Sequence, residues 1–210
     1  MKILKYPGKR RIPSVPPAAH PYQLAISASS GAGKSTLLGL LRKELGETFS
    51  FVSGGDMFRA RAHELRFPTV REFGAHADAH PEEEHDYWCD CSLRDSVAAA
   101  RCVVIESRLA HHIARGAFKV RLECPLHVRA ERNARKTRRA FESALTELLG
   151  RDLDDMERFE GLYRDIDRPV QPDLVINTAG YTPGEIVRLI LVAWQERIRR
   201  IGAQPILLGR

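Results

Sequence analysis

Near its start the chain carries the stretch LAISASSGAGKST at residues 24–36, in which an apolar run leads into a glycine-rich turn. A helical pattern begins at Lys34, so the order is strand, loop and helix, as in a phosphate-binding loop. Small residues leave room for backbone N–H groups to surround phosphates, and the N-terminus of the following helix adds partial positive charge. The stretch therefore predicts a site for a nucleoside triphosphate.

The loop also suggests individual roles. Lys34 is placed to neutralise β- and γ-phosphate oxygens, and the Ser35 hydroxyl can ligate Mg²⁺. Ala28 stands where such loops usually begin with glycine, which removes backbone freedom but keeps the side chain small. A chance glycine–serine turn is the alternative, although four of the five key positions fit. The residues predicted to bind the triphosphate are Gly31, Ala32, Gly33, Lys34, Ser35 and Thr36.

Composition narrows the class of protein. A length of 210 residues suits one domain, and 43% hydrophobic with 29% charged residues is ordinary for a soluble globular protein. No apolar run approaches a membrane span, and the four cysteines form no paired C-x-x-C units, so we expect a reduced, cytoplasmic protein without a membrane partner. The net charge of +6 is expected for an enzyme that binds nucleotides, since positive residues gather at the nucleotide site. It does not by itself predict nucleic-acid binding.

Two parts of the chain differ in character. Residues 1–21 are basic and proline-rich, which predicts an extended, partly mobile arm. A loose leader is favoured over an arm that packs on a partner subunit, so we expect a monomer, with a homodimer through the arm as the alternative. Residues 22–204 form the predicted single domain.

Apolar runs predict five strands, at residues 22–27, 49–53, 102–106, 118–124 and 173–177. Helical patterns separate them, with a glycine turn at 54–56 and helices at 57–66, 68–80 and 81–101 after the second strand. Alternation of this kind predicts an α/β fold with a doubly wound, five-stranded parallel sheet and its ligand at the carboxyl edge.

Charged residues follow the second and third strands. Asp56 and Arg59 lie one helical turn apart and can face one site, where Arg59 would bind an acceptor phosphate; a helix cap is the alternative for Asp56. Glu106 ends the third strand and can hold Mg²⁺ through water, while Arg108 can reach an acceptor phosphate.

A basic run follows the fourth strand. Spacings of three and four place Arg132, Arg135 or Lys136, and Arg139 on one helix face, where mobile arginines could neutralise a transferring phosphoryl group as a lid shuts. A solvated face is the alternative, and the absence of interleaved aromatic residues disfavours a nucleic-acid patch. Arg158 on a later helix could point back to the phosphates.

The region before the third strand is less distinctive. Asp86 could accept a hydrogen bond from an amino group on the acceptor base, with a solvated acidic turn as the equal alternative. His85 with Cys89 and Cys91 lacks a four-ligand metal set, and the other histidines show no metal spacing. Cys102 and Cys124 lie in apolar runs and are predicted to be core thiols.

Several motifs in order resemble those of the cytidylate kinases of the short archaeal type. They are the loop at 28–35, SGGDMFR at 53–59, VVIESRLA at 103–110, VRAERNARK at 128–136, ERFEGLYRDID at 157–167 and DLVINTAGYTPGEIV at 173–187. The resemblance implies helical NMP-binding and LID segments, at about 54–101 and 125–142. It also implies ATP and Mg²⁺ as cofactors and the reaction ATP + (d)CMP ⇌ ADP + (d)CDP.

The same resemblance implies residue roles. Lys34, Arg132 and Arg158 would be catalytic, Arg59 and Arg108 would bind the acceptor phosphate, and Ser35 would hold the metal. The local patterns described above add Asp56 and Asp86 to the acceptor site and Glu106 to the metal site. Residues 177–183 would lie near adenine. The alternatives are a P-loop kinase for another small acceptor and a non-catalytic, nucleotide-binding regulatory module.

Overall fold

A five-stranded parallel sheet forms the centre of the molecule. The computed structural model of the 210-residue chain describes residues 9–16 and 20–206. The strands are β1 (Gln23–Ala28), β2 (Ser50–Ser53), β3 (Val103–Glu106), β4 (Phe118–Glu123) and β5 (Leu174–Asn177). Neighbouring strands are parallel and follow the order β2-β3-β1-β4-β5. The predicted fold class is thereby confirmed.

Helices cover both faces of the sheet, which is what doubly wound means. On one face α1 (Lys34–Leu45) and α8 (Pro183–Arg200) pack on Leu24 and Ile26 of β1. On the other face α4 (His85–Ala99) and α5 (Ala110–Ile113) pack on Ala25 of the same strand. Successive side chains of a strand point to opposite faces, so β1, which is buried along its whole length, contributes to both cores.

The remaining helices fall in two segments. The first connects β2 to β3 and contains α2 (Gly54–Glu64) and α3 (Val70–Ala79) before α4; the second connects β4 to β5 and contains α6 (Leu126–Thr137) and α7 (Phe141–Leu162). No helix among the described residues is long and apolar enough to cross a membrane. Both segments begin at the carboxyl edge of the sheet, where a ligand of this fold is expected.

Some predicted boundaries are wrong for local reasons. Residues 54–56 form the first turn of α2 rather than a separate turn, because the Ser53 side chain accepts the Asp56 N–H at 3.4 Å and caps the helix. Asp56 is therefore not the cap. The helix expected at 81–101 is interrupted at Glu84, whose φ of 53° is left-handed. Cys102 and Cys124 are half-buried and pack against the edge of the core.

The N-terminal segment differs from the expected loose leader over residues 9–16. Ile12 and Val15 are buried in the core beneath α4 and α5. The Ile12 N–H donates to Asp165 Oδ1 at 2.9 Å, and the Val15 N–H donates to the Ile113 carbonyl at 2.7 Å. Two apolar side chains spaced by three anchor this stretch on its own chain. Residues 1–8 and 17–19 of the predicted arm lie outside the described residues.

Candidate active site

The loop between β1 and α1 has the backbone of a phosphate-binding loop. Gly31 and Gly33 have φ values of 81° and 98°, in the left-handed region that favours glycine. A Cβ on Gly31 would also lie 3.2 Å from the Cβ of Arg129. Ala28, by contrast, ends β1 as a buried residue, and its φ is not positive. The alanine at the first loop position is therefore compatible with this backbone.

Lys34 folds back over the loop that precedes it. Its Nζ donates to the Ala28 carbonyl at 2.9 Å and to the Ser29 carbonyl at 3.4 Å, and it lies 3.5 Å from Glu106 Oε1. Burial lowers the pKa of Lys34, and the nearby Glu106 carboxylate opposes that shift. The ammonium group is thus held where the ends of β1 and β3 meet the loop.

Glu106 is placed by the sheet register. It pairs with Ile26 of β1 and with Ser53 of β2, so it ends the strand between them. Its Oε2 accepts a hydrogen bond from the Ser53 hydroxyl at 2.9 Å. The exposed Ser35 borders the same cavity as Glu106, the edge cavity described below. A carboxylate and a hydroxyl are oxygen donors of the kind that Mg²⁺ prefers, so this pair fits the ion.

Two cavities meet at the loop. The edge cavity, of about 580 Å³, lies between the sheet edge and the helices after β2. The loop cavity, of about 730 Å³, lies between the loop and α6 and α7. Lys34, Ser35 and Arg59 line both. Among the predicted site residues, the edge cavity adds Asp56, Asp86, Glu106, Arg108 and Arg158, and the loop cavity adds Gly31, Gly33, Thr36 and Arg132. Ala32 is buried, and its N–H donates to the Ser29 carbonyl at 3.3 Å.

Carboxylates hold two arginines of the edge cavity. The exposed Arg59 bonds to Asp56 at 2.6 Å, and Arg158 lies 3.3 Å from Asp78 and 3.5 Å from Asp86. Burial raises the pKa of Asp86, while the charge of Arg158 opposes that shift. The two predicted acceptor-site carboxylates therefore orient two of the predicted arginines.

Arg108 follows β3 and bonds to the phosphate loop. It pairs with Asp155 of α7 and donates to the Ser30 hydroxyl at 3.0 Å. Burial raises the pKa of Asp155, and the charge of Arg108 opposes the shift. The arginine thus bridges the phosphate loop and α7, at a point from which it borders the edge cavity.

Arg132 is turned towards the loop after β5. It donates to the Thr178 carbonyl at 2.8 Å and to the Thr178 hydroxyl at 3.1 Å. The predicted shared face of Arg132 and Arg139 is wrong, because α6 ends at Thr137 and Arg138 has a left-handed φ of 54°. Arg139 lies beyond the helix and bonds to Glu147 of α7 at 2.9 Å. Arg132 therefore faces the loop after β5, whereas Arg139 faces α7.

Sequence reasoning gave no role to a second network beneath the loop. Arg129, almost fully buried, donates to the Ser30 carbonyl at 3.0 Å and to Asp152 Oδ2 at 2.7 Å. Asp152, Asp155 and Arg158 are spaced by three and so share a face of α7. This spacing in the sequence indicates one charged face of α7. The network supports the loop from below and links it to α7.

A buried pair closes the floor of the edge cavity. Asp90 of α4 lines this cavity and accepts a hydrogen bond from the Tyr163 hydroxyl at 2.5 Å. Burial raises the pKa of Asp90 from 3.8 to about 7, and the hydrogen bond from Tyr163 opposes that shift. The sequence contained no local indication of this contact, whose partners are 73 positions apart.

The parallel sheet, the glycine-rich loop that opens α1 and the arginines around both cavities define an α/β P-loop kinase. Solved structures agree on the fold. A gluconokinase from Sinorhizobium meliloti superposes with a TM-score of 0.51 at 18% identity, covering 91% of this chain and 97% of its own. An uncharacterized protein from Eubacterium ventriosum gives a TM-score of 0.60 at 12% identity, covering 84% and 99%.

Sequence relatives identify the family. Residues 24–166 match a family model described as an AAA domain. Cytidylate kinases from Halobacterium salinarum and Pyrococcus furiosus are 33% and 34% identical, each over 81% of this chain and over 88% and 86% of their own lengths. The cytidylate kinase from Haloarcula marismortui is 36% identical over 81% of this chain and 88% of its own. The chain belongs to the cytidylate kinase family.

Proposed function

We propose that the protein transfers the γ-phosphoryl group of ATP to CMP or dCMP. The observation that carries the proposal is that Lys34, Ser35 and Arg59 line both the loop cavity and the edge cavity. A donor phosphate held by the loop and an acceptor phosphate held in the edge cavity would therefore meet beside the same three side chains. Phosphoryl transfer requires this alignment together with neutralisation of charge.

In this proposal the loop cavity binds the triphosphate. The backbone of residues 31–36 surrounds the phosphates, and Lys34 neutralises the β- and γ-phosphate oxygens, exchanging its hydrogen bonds to the Ala28 and Ser29 carbonyls for contacts to phosphate. Ser35 and Glu106 would hold Mg²⁺, which when bound supplies positive charge to the phosphate oxygens. Arg132 lies in the wall of the same cavity and would close over the transferring group.

The edge cavity would receive the acceptor. Arg59 and Arg108 are proposed to bind its phosphate, because both border the cavity and both are held by carboxylates whose place an incoming phosphate can take. Arg158 would approach the phosphates from α7. Asp86 is proposed to accept a hydrogen bond from the exocyclic amino group of cytosine. This role favours a base that carries an amino group over a polyol acceptor.

The N-terminal segment supports a proposal for the state of assembly. Residues 10, 12 and 15 make backbone hydrogen bonds to the same chain, through Arg164, Asp165 and Ile113. This part of the predicted arm is consequently engaged within one molecule. We propose a monomer, and the mass in solution by light scattering tests it; a dimer that persists at low micromolar concentration would contradict the proposal.

The test of function is ADP formation with a panel of acceptors: CMP, dCMP, UMP, AMP, GMP, gluconate and shikimate. We expect CMP and dCMP to give the highest kcat/KM, by about tenfold or more over UMP, since losing a buried hydrogen bond costs 1–3 kcal/mol. Highest activity with a polyol would identify a different kinase. ATP binding without ADP formation on any acceptor would identify a regulatory module.

A variant sharpens the test of the base contact. An amide at position 86 can donate to the uracil carbonyl, so Asp86→Asn should lower the preference for CMP over UMP by about tenfold. Asp95→Asn is the matched control, because Asp95 is an exposed carboxylate on the same helix. An unchanged preference in Asp86→Asn would remove Asp86 from the base site while leaving the reaction itself in place.

A further inference from the structure

Histidine and glutamate side chains converge at the junction of α3 and α4, outside both cavities. His76 lies near the end of α3, Glu83 lies in the short 3₁₀ turn Pro81–Glu83, and His85 is the first residue of α4. His76 Nε2 is 2.9 Å from Glu83 Oε2, and His85 Nε2 is 2.7 Å from the same oxygen. The ligand atoms of the three residues all lie within 4.8 Å of one another. Local spacing in the sequence did not indicate this cluster.

We propose that His76, Glu83 and His85 bind a divalent transition-metal ion of the zinc class. Two imidazole nitrogens and one carboxylate oxygen are the donors that such ions prefer. In a tetrahedral zinc site with bonds of about 2.0–2.1 Å, the ligand atoms are about 3.3 Å apart. The observed separations from the Glu83 oxygen are shorter by about half an ångström, so these two pairs of ligand atoms would move slightly apart around the ion.

The surroundings of the cluster favour a cation. His85 is almost fully buried and packs against Phe73, with ring centroids 5.0 Å apart, which fixes the imidazole in place. The Nε2 atom of His85, which would bind the ion, faces Glu83, while its buried Nδ1 has no hydrogen-bond partner among the described residues. Glu82 and Glu83 supply negative charge, whereas Glu84 is paired with Arg10. The side chains of His76 and Glu83 are 30% and 42% exposed, so an ion and a completing water can enter from solvent.

The position of the site gives the ion a structural consequence. His85 opens α4 and immediately precedes Asp86, which lines the edge cavity. An ion shared by the end of α3, the 3₁₀ turn and the start of α4 would join three elements that meet here through the hydrogen bonds to Glu83 and the packing of Phe73 on His85. Bound metal would therefore resist separation of α3 from α4 and stabilise the native chain, because binding to the folded state alone adds to its stability.

The experiment uses the full chain, treated with a chelator, dialysed into buffer with excess Mg²⁺ and titrated with Zn²⁺ by calorimetry. We expect one Zn²⁺ per chain and, at about 100 times Kd, a rise of the unfolding midpoint by several degrees. Co²⁺ should occupy the same site and give a visible spectrum typical of nitrogen and oxygen ligands. No saturable binding, or an unchanged midpoint, overturns the proposal.

Variants assign the site to these residues. Glu83→Gln keeps an oxygen that can accept hydrogen bonds from both imidazoles but removes the ligand charge, and His76→Gln removes one ligand at a partly exposed position. Each should weaken Zn²⁺ binding by tenfold or more, whereas His63→Gln, at an exposed histidine of α2, should not. Equal affinity in all three variants overturns the assignment. A thiolate charge-transfer band in the Co²⁺ spectrum would do the same, because it places the ion on cysteine.

Discussion

The phosphate loop and the helical segment from α2 to α4 both border the edge cavity, but they are held in different ways. The loop is fixed by its own backbone: two left-handed glycines shape it, and the Lys34 ammonium bonds to carbonyls five and six positions earlier. The helical segment is fixed by distant partners. Tyr163 holds Asp90 across 73 positions, and Arg158 holds Asp78 across 80.

The two regions therefore have different roles: the loop carries the phosphate-binding groups, and the distant contacts place the helical segment over the cavity. The shape of the loop is set by its own glycines and lysine, and Arg108 and Arg129 add support from outside it at Ser30. The helical segment is held over the sheet edge by ion pairs with Arg158 of α7 and by the hydrogen bond from Tyr163, which follows α7. Substitutions in the loop should accordingly affect catalysis without unfolding, whereas substitutions among the distant partners should affect stability.

Lys34→Ala should give the largest effect. We expect a folded protein whose kcat for CMP phosphorylation is lower by about 10²-fold or more, because one well-placed electrostatic contact in a transition state contributes this much. The measurement is steady-state kinetics with circular dichroism as a check of folding. Lys43→Ala, on the exposed side of α1, is the matched control. A kcat close to that of the wild type would remove Lys34 from the mechanism.

Arg129→Ala tests the support beneath the loop. The side chain is 8% exposed and bonds to Asp152 and to the Ser30 carbonyl. Its removal leaves the half-buried Asp152 carboxylate with Arg108, 3.8 Å away, in place of a 2.7 Å partner, and we expect the free energy of unfolding to fall by about 2 kcal/mol. Urea denaturation measures this change. Arg135→Ala, an exposed arginine of α6, should change it by less than about 0.5 kcal/mol. Equal stability of the two variants would contradict a supporting role.

The same contrast explains what the sequence can predict. The loop, the five strands and Glu106 at the end of β3 follow from local patterns, because apolar runs and glycine spacing report on neighbouring residues. The packing of Ile12 beside Asp165 joins residues 153 positions apart, and no local pattern specifies it. The histidine cluster depends on the break at Glu84, where a residue other than glycine adopts a left-handed φ. Such features depend on tertiary contacts that override local preference.

Asp90→Asn tests the helical segment through pH. Burial raises the pKa of Asp90 to about 7 in the folded protein, so between its unfolded value near 3.8 and pH 7 the folded state binds more protons than the unfolded state. Asp90 therefore makes the wild type less stable as pH rises through this window. The variant lacks the effect, and its stability relative to the wild type should increase by at least about 1 kcal/mol from pH 4 to pH 8.

Urea denaturation at several pH values supplies the measurement for Asp90→Asn, and asparagine can still accept the hydrogen bond from Tyr163. Asp95→Asn, at an exposed carboxylate of the same helix, should leave the pH dependence unchanged. Parallel curves for wild type and Asp90→Asn would show that folding does not raise the pKa of Asp90, and that Asp90 is less buried against Tyr163 than the contact indicates.

Ala28→Gly should give the smallest effect and addresses the loop backbone directly. Because the φ of Ala28 is not positive, glycine gains nothing there, and we expect the KM for ATP to change by less than about twofold. Added chain entropy in the unfolded state should lower stability by about 0.5–1 kcal/mol. Gly33→Ala is the contrasting variant, since its φ of 98° is strained for alanine and should raise the KM for ATP. A large improvement in ATP binding by Ala28→Gly would show that the nucleotide-bound loop requires a left-handed residue at position 28, and that the loop is less rigid than its hydrogen bonds imply.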